Sequence, residues 1–123
     1  MFLLFLISKI FIAMNIKQHK LTDTAYKESP NQSGTIQPDT IIIHYTAGSS
    51  AESSIATLTD ADEEVSAHVV IAKDGEITQL VPFNKKAWHA GTSHYGERTG
   101  MNRYSIGIEL DNPGVLKKTG NQY

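Results

Sequence analysis

The sequence predicts an α/β domain built on a central mixed β-sheet flanked by helices. The first indication is the stretch 40–45, Thr-Ile-Ile-Ile-His-Tyr, in which three consecutive isoleucines do not alternate with polar residues. Such a run is typical of a strand buried on both faces in the middle of a sheet. The second indication is a pair of β-branched stretches, 67–73 and 76–81, joined through Asp74 and Gly75. Asp-Gly between two such stretches favours a hairpin.

The elements before the hairpin follow from turn and capping residues. Residues 26–39 have the proline, glycine and serine content of a loop that leads into the first strand. Residues 51–59 predict a short helix, which Ser49 or Ser50 can cap and in which Glu52 occupies the first turn, where the helix dipole favours an anion. The acidic stretch 60–64 is a solvated connector.

The elements after the hairpin end in a strand that carries a carboxylate. Residues 83–86 predict a loop, and residues 92–102, rich in glycine, serine, threonine and asparagine, predict a long exposed loop. Residues 105–110 alternate, which predicts a strand with its apolar residues on one face and Gly107 and Glu109 on the other.

Composition restricts the functions that the chain can have. Its 123 residues fit one domain, and a net charge of −2 gives no basic surface for duplex nucleic acid. Cysteine is absent, which excludes disulfides, a thiol nucleophile and cysteine-bound metal within this chain.

The first 14 residues form an apolar extension that Lys9 interrupts. This stretch is too short and too interrupted for a stable membrane-spanning helix. It also lacks the basic start and the small-residue cleavage site of a signal peptide. We interpret it as a misplaced start, with Met14 as the true first residue, in preference to a poor export signal. This favours the cytoplasm over the periplasm or secretion, although the residues leave the compartment open.

His44 is the first candidate for chemistry because it lies at the carboxyl end of the first predicted strand, where ligand sites of α/β folds tend to lie. The alternative is a histidine that only bonds locally. Glu109 lies near the end of another strand among apolar residues, and partial desolvation would suit it to general base catalysis. Taken alone, a solvent-facing glutamate is the simpler interpretation. His89, next to Trp88, could line a groove, and His68 fits a packed core histidine.

Five segments that occur in order resemble the type 2 N-acetylmuramoyl-L-alanine amidases. They include Ile-His-Tyr-Thr-Ala-Gly around His44, Ser-Ala-His around His68, Trp-His-Ala-Gly at Trp88, and Ser-Ile-Gly-Ile-Glu-Leu around Glu109. Together they cover residues 42–48, 65–71, 74–82, 87–91 and 102–110. No single segment is decisive, but the ordered set is highly specific, and it implies an amidase type 2 fold.

The resemblance implies zinc-dependent hydrolysis of the amide between N-acetylmuramic acid and L-alanine in peptidoglycan or muropeptides. In that family His44 matches the first zinc ligand, and Glu109 matches the general base of the anhydro-muropeptide branch. Ala67 stands where the phage branch has a catalytic tyrosine, so the chain resembles the glutamate branch. Trp88 and His89 match a segment that borders the groove, which implies substrate-binding roles.

One departure from the family pattern concerns the other zinc ligands. In the family these are a second histidine and an aspartate or cysteine, and they follow a long helix downstream of the Glu109 strand. The chain stops at Tyr123 without them. We therefore expect residues 15–123 to form the N-terminal portion of an amidase domain, with the C-terminal part missing and one sheet face uncovered. The alternatives to a working enzyme are a non-catalytic peptidoglycan-binding module or an inactive fragment. The oligomeric state is left open.

Overall fold

The computed structural model describes residues 14–116 and is organised around a five-stranded mixed β-sheet. The strands in chain order are β1 (Ile16–Lys17), β2 (Lys20–Leu21), β3 (Ala25–Tyr26), β4 (Gln32–Thr35), β5 (Thr40–Tyr45), β6 (Val69–Ile71), β7 (Ile77–Gln79), β8 (Lys85–Ala87), β9 (His94–Tyr95), β10 (Arg98–Thr99) and β11 (Ser105–Leu110). One α-helix, α1 (Ala51–Leu58), and two 3₁₀ turns, Ala61–Glu63 and Met101–Arg103, complete the described elements.

The central sheet has the strand order β3-β7-β6-β11-β5. Strand β11 runs parallel to both β5 and β6, whereas β6 and β7 form an antiparallel hairpin. The hairpin turns at Asp74 and Gly75, where Gly75 takes a φ of 91°, a conformation that suits glycine. The predicted mixed sheet and hairpin are therefore confirmed, although β6 and β7 are shorter than the stretches 67–73 and 76–81.

The predicted central position of the strand 40–45 is wrong for the described part of the chain. Strand β5 is an edge strand that pairs with β11 alone, and the side chains of Ile41 and Ile43 are 64% and 57% exposed. A run of isoleucines specifies an extended backbone because β-branched side chains fit a pleated surface. It does not specify what covers that surface. Ile41, Ile106 and Ile108 line an apolar hollow on the sheet face opposite the one that carries Gly107 and Glu109.

Helix α1 packs on the sheet and closes the small core. The side chain of Ser50 accepts a hydrogen bond from the backbone N–H of Ser53, which confirms the predicted cap. The helix buries Ala51, Ser54 and Leu58. The core residues are apolar and come from α1, the hairpin strands with the residues that flank them, and β8: Ala51, Leu58, Ala67, Val70, Leu80, Val81 and Ala87. The sequence predicts several helices flanking the sheet. Among residues 14–116, α1 is the one α-helix that does so.

Three stretches predicted as loops contain short strands. Strand β4 lies within 26–39 and pairs antiparallel with β8, which begins in the predicted loop 83–86. Residues 92–102 form the β9–β10 hairpin and a 3₁₀ turn. Asp39 and Arg98 form a bidentate ion pair of 2.7 and 2.9 Å that ties this hairpin to the start of β5. Strands of two to four residues carry too few positions for a periodic pattern, so their partners decide their conformation.

The predicted apolar extension, residues 1–14, lies outside the described residues except for Met14. Residues 117–123 also lie outside them. In the described range, no helix has the length and apolar character that crossing a membrane requires.

Candidate active site

The carboxyl ends of β5 and β11 bring His44 and Glu109 side by side. These two residues are register partners on adjacent parallel strands, so their side chains leave the same face of the sheet. His68 lies just before β6, the other neighbour of β11, and His89 follows β8. Four residues that are far apart in sequence, His44, His68, His89 and Glu109, are thus collected on one face of the sheet.

The imidazole of His89 lies between two other histidine rings. Its Nδ1 is 2.9 Å from Nε2 of His44, and its ring centroid is 5.9 Å from that of His68. On the other side, Nε2 of His89 is 3.2 Å from the hydroxyl oxygen of Ser105. Burial, followed by the charges of His44 and His68, lowers the pKa of His89 to about 4. The ring is therefore neutral near pH 7.

His68 is fully buried and has a fixed tautomer. Its Nδ1 accepts a hydrogen bond of 3.0 Å from the backbone N–H of Gly107, so its proton is on Nε2, which lies 2.8 Å from the carbonyl oxygen of Lys85. Burial lowers the pKa of His68, partly offset by the Lys85 carbonyl. The expectation of a packed core histidine is confirmed.

Glu109 supplies the carboxylate of this site. Its side chain is half-buried, and one of its two oxygens lacks a hydrogen-bond partner. Its Oε2 is buried and has no hydrogen-bond partner. Burial raises the pKa of Glu109, and the nearby His44 partly offsets this effect. A carboxyl group of this kind holds a proton more readily than an exposed one, which is the property required of a general base at near-neutral pH.

A cleft of about 320 Å³ opens between α1 and the end of the sheet. Glu109, His89 and Trp88 line it, together with hydroxyl-bearing residues that the sequence reasoning missed: Thr46, Ser53, Ser54, Thr57 and Ser66. The indole Nε1–H of Trp88 donates to the hydroxyl of Ser33 at 3.0 Å, which fixes the orientation of the ring. A cleft that combines an aromatic side chain with several hydroxyl groups suits a sugar or peptide ligand, because such ligands combine apolar faces with many hydrogen-bonding groups.

Ser105 and Gly107 also escaped the sequence reasoning as site residues. Ser105 holds the ring of His89, and Gly107 leaves the space for it, since a Cβ at Gly107 would lie 2.3 Å from Cγ of His89. A signal for Gly107 was present, because a glycine inside a strand often marks a close approach of another group. No sequence signal distinguished Ser105 from the other serines.

Comparison with known proteins identifies the family. The profile of the N-acetylmuramoyl-L-alanine amidase family, Amidase_2, matches residues 34–123. The chain belongs to this family. It is 32% identical to the crystal structure of a Se-Met AmpD derivative, with a TM-score of 0.70, covering 87% of this chain and 71% of that one.

Two curated relatives carry amidase names. The 1,6-anhydro-N-acetylmuramyl-L-alanine amidase AmpD of Salmonella typhimurium is 56% identical over 59 residues, 48% of this chain and 32% of AmpD. The N-acetylmuramoyl-L-alanine amidase AmiD of Escherichia coli is 44% identical over 90 residues, 68% of this chain and 32% of AmiD. The match thus spans about a third of the length of these relatives.

His44 and Glu109 are the two possible metal donors that the parallel strands β5 and β11 place side by side. His44 offers an imidazole next to the unpartnered oxygen of Glu109, which fits a metal-binding corner. Residues 14–116 contain no group of three or more histidine, aspartate or glutamate side chains arranged to hold a metal ion. The donors of the described part are therefore compatible with zinc but do not form a closed ligand set.

Proposed function

We propose that the chain forms part of the active site of an amidase that hydrolyses the bond between N-acetylmuramic acid and L-alanine in peptidoglycan fragments. The observation that carries this proposal is the half-buried carboxyl of Glu109, which has an unpartnered oxygen and lies beside His44 at the edge of a cleft. Family membership supports the reaction class. The structure of E. coli AmiD in complex with anhydro-N-acetylmuramic acid-L-Ala-D-gamma-Glu-L-Lys supports the substrate class.

In this proposal Glu109 moves the proton. Its carboxylate accepts a proton from the water that attacks the amide carbonyl carbon and returns it to the nitrogen as the C–N bond breaks. The products are the lactyl carboxylate and the free amino group of L-alanine. His44 would hold a zinc ion, and Lewis acidity toward the carbonyl oxygen is the chemistry that bound zinc would supply. Trp88 and the His89 ring, as walls of the cleft, would position the substrate.

The experiment replaces Glu109 with glutamine, which keeps the shape of the side chain but cannot accept the proton. Peptide release from a muramyl-L-alanyl peptide is followed with zinc supplied, and binding is measured separately by calorimetry. We expect the variant to bind the peptide nearly as well as its parent and to lose about 100- to 10,000-fold of the cleavage rate. Glu97→Gln, at an exposed glutamate of the β9–β10 turn, is the matched control. Cleavage that survives Glu109→Gln within a few-fold would remove Glu109 from the role of base.

The second candidate is a non-catalytic module that binds peptidoglycan. It is favoured by a cleft lined with hydroxyl groups in a described region that lacks a closed metal site. The same assay separates the two functions. Peptide binding that EDTA does not weaken, with no cleavage by the parent chain in zinc-containing buffer, would support the binding module.

A further inference from the structure

A buried polar segment before β5, residues 29–33, supports one side of the cleft without lining it. These residues lie in the stretch that the sequence predicts as a loop, yet Ser29 and Asn31 are only 0% and 3% exposed. Polar groups buried to this extent need hydrogen-bond partners. Four residues that line the cleft are bonded to this segment: Leu58, Val65, Ser66 and Trp88. We call these four residues the Trp88 wall.

Asn31 is the centre of this arrangement. Its side-chain Nδ2 donates to the carbonyl oxygens of Asp60 and Val65, at 2.7 and 2.8 Å, so both hydrogens of the amide are used. Its backbone carbonyl oxygen accepts from the hydroxyl of Ser66 at 2.6 Å. One buried side chain therefore holds the acidic connector 60–64 at its beginning and at its end.

Ser66 extends this support to Trp88. The Ser66 hydroxyl, which donates to Asn31, accepts from the backbone N–H of Trp88 at 2.8 Å. The backbone N–H of Ser66 donates to the Trp88 carbonyl oxygen at 3.0 Å. The indole N–H of Trp88 donates to the hydroxyl of Ser33 at 3.0 Å. The backbone and the ring of Trp88 are thus both held by contacts that lead back to residues 29–33.

The end of α1 is bonded to the same segment. The hydroxyl of Ser29 donates to the carbonyl oxygen of Leu58 at 2.6 Å and accepts from the backbone N–H of Asn31 at 3.2 Å. Leu58 is the last residue of α1, where carbonyl groups need partners outside the helix. By contrast, the pairing of β5 with β11 places His44 and Glu109. The Trp88 wall and the two possible metal donors therefore have separate supports.

We propose that Asn31 is a positioning residue for ligand binding, which holds the Trp88 wall in the arrangement that the ligand requires. This rests on the proposed function. Side chains and loops that become ordered only when the ligand binds reduce affinity, so a wall that is ordered in advance binds more tightly. Because these hydrogen bonds are buried, they are stronger than they would be in water. Asn31 therefore acts on affinity, whereas the proton transfer at Glu109 does not depend on it.

The test compares Asn31→Ala with a matched control, Gln79→Ala, in the full chain. Gln79 is a second buried amide, 1% exposed, and its bonds go to the backbone of His19, Leu21 and Val81, which do not line the cleft. Both variants lose the hydrogen bonds of one buried amide. A merely structural role of Asn31 therefore predicts the same behaviour for both. A cooperative urea transition shows that each variant folds.

The first measurement needs no ligand. Relaxation of ¹⁵N gives order parameters for the backbone N–H groups of Val65 and Ser66 and for the indole N–H of Trp88. We expect rigid values of about 0.85 in the parent and in Gln79→Ala, and values below about 0.6 in Asn31→Ala. Unchanged order parameters in a folded Asn31→Ala variant would overturn the proposal.

If Asn31→Ala does not fold, Ser66→Ala decides by the same measurement. This variant loses one hydroxyl, and with it the link between Asn31 and the backbone of Trp88. We expect the N–H groups of Trp88 to become less ordered than in the parent. Equal order in the two proteins would refute the positioning role.

Calorimetry with a muramyl-L-alanyl peptide separates this inference from the proposed function. Ordering one side chain on binding weakens affinity by about 2- to 10-fold. We therefore expect Asn31→Ala to bind about 10-fold more weakly than the parent, and Gln79→Ala to stay within about twofold of it. Equal affinities of the two variants would contradict the inference. If the parent does not bind the peptide, the proposed function fails, while the order parameters still decide whether Asn31 holds the Trp88 wall.

Discussion

Gly107→Ala is the sharpest test of how tightly the histidine cluster is packed. A Cβ at this position would lie 2.3 Å from Cγ, 2.6 Å from Nδ1 and 2.7 Å from Cδ2 of His89. These are distances that van der Waals contacts do not reach, so the ring must move. Its retreat breaks the contacts at both nitrogens, to His44 and to Ser105.

The expected cost combines overpacking with lost hydrogen bonds. Inserting a methyl group into a packed site costs about 1–3 kcal/mol. Each lost hydrogen bond adds about 1 kcal/mol. We therefore expect Gly107→Ala to lower the free energy of unfolding by about 3–5 kcal/mol, a large part of the ~5–15 kcal/mol typical of a domain.

Gly48→Ala is the matched control. Its Cβ would also be too close to a neighbour, at 2.6 Å from Oγ of Ser54, but that hydroxyl can rotate away. We expect a loss below about 1 kcal/mol, the value of one hydrogen bond.

Both variants are compared with the parent by urea unfolding, followed by the fluorescence of Trp88, the only tryptophan of the chain. The slope of the transition should be unchanged, because the surface exposed on unfolding is nearly the same. A Gly107→Ala variant within about 0.5 kcal/mol of the parent, or no more destabilised than Gly48→Ala, would show that the ring of His89 is not confined.

Four further predictions concern charge and metal. Because burial raises the pKa of Glu109, this carboxyl contributes stability at low pH that is lost as pH rises from 4.5 through the raised value. In urea unfolding, the stability of the parent relative to Glu109→Gln should therefore be greater at pH 4 than at pH 8, and an equal difference at both would contradict it. Because the pKa of His89 is lowered from 6.5 to about 4, the contribution of this ring to stability should be lost as pH falls through that window, by about 1–2 kcal/mol after allowance for partial solvent exposure. The stability of the parent relative to His89→Asn should therefore fall by that amount across the window. Arg98→Gln should raise the pKa of Asp39 from about 2 toward 3.8, as measured by NMR titration, since the hydrogen bond from Arg98 is the main cause of the low value. After dialysis the chain should contain little zinc when assayed by mass spectrometry, because a single imidazole binds the ion weakly. Stoichiometric zinc that disappears in His44→Ala would contradict this expectation and would show that other groups complete the site.

Local sequence determined the backbone of the longest elements. The bounds of β5 and β11 agree with the predicted strands 40–45 and 105–110, and α1 agrees with the predicted helix to one residue. β-branched runs, the Asp-Gly turn and the serine cap act within a few residues of themselves, so the chain alone can specify them. The ordered motifs also identified the family, which the family profile confirms.

Only the tertiary structure decided which groups meet. His44 and His89 are 45 residues apart in sequence and 2.9 Å apart in space, and Ser105 and Gly107 gain their roles through that meeting. The edge position of β5 depends on which strands lie alongside it. The raised pKa of Glu109 and the lowered pKa of His89 depend on the segments that bury these side chains and exclude water. Periodicity and propensity describe a residue and its near neighbours, whereas strand order and desolvation arise from contacts between distant segments. The types of the site residues were therefore visible in the sequence, while their arrangement was set by the packing of the segment after β8 against one face of β5 and β11.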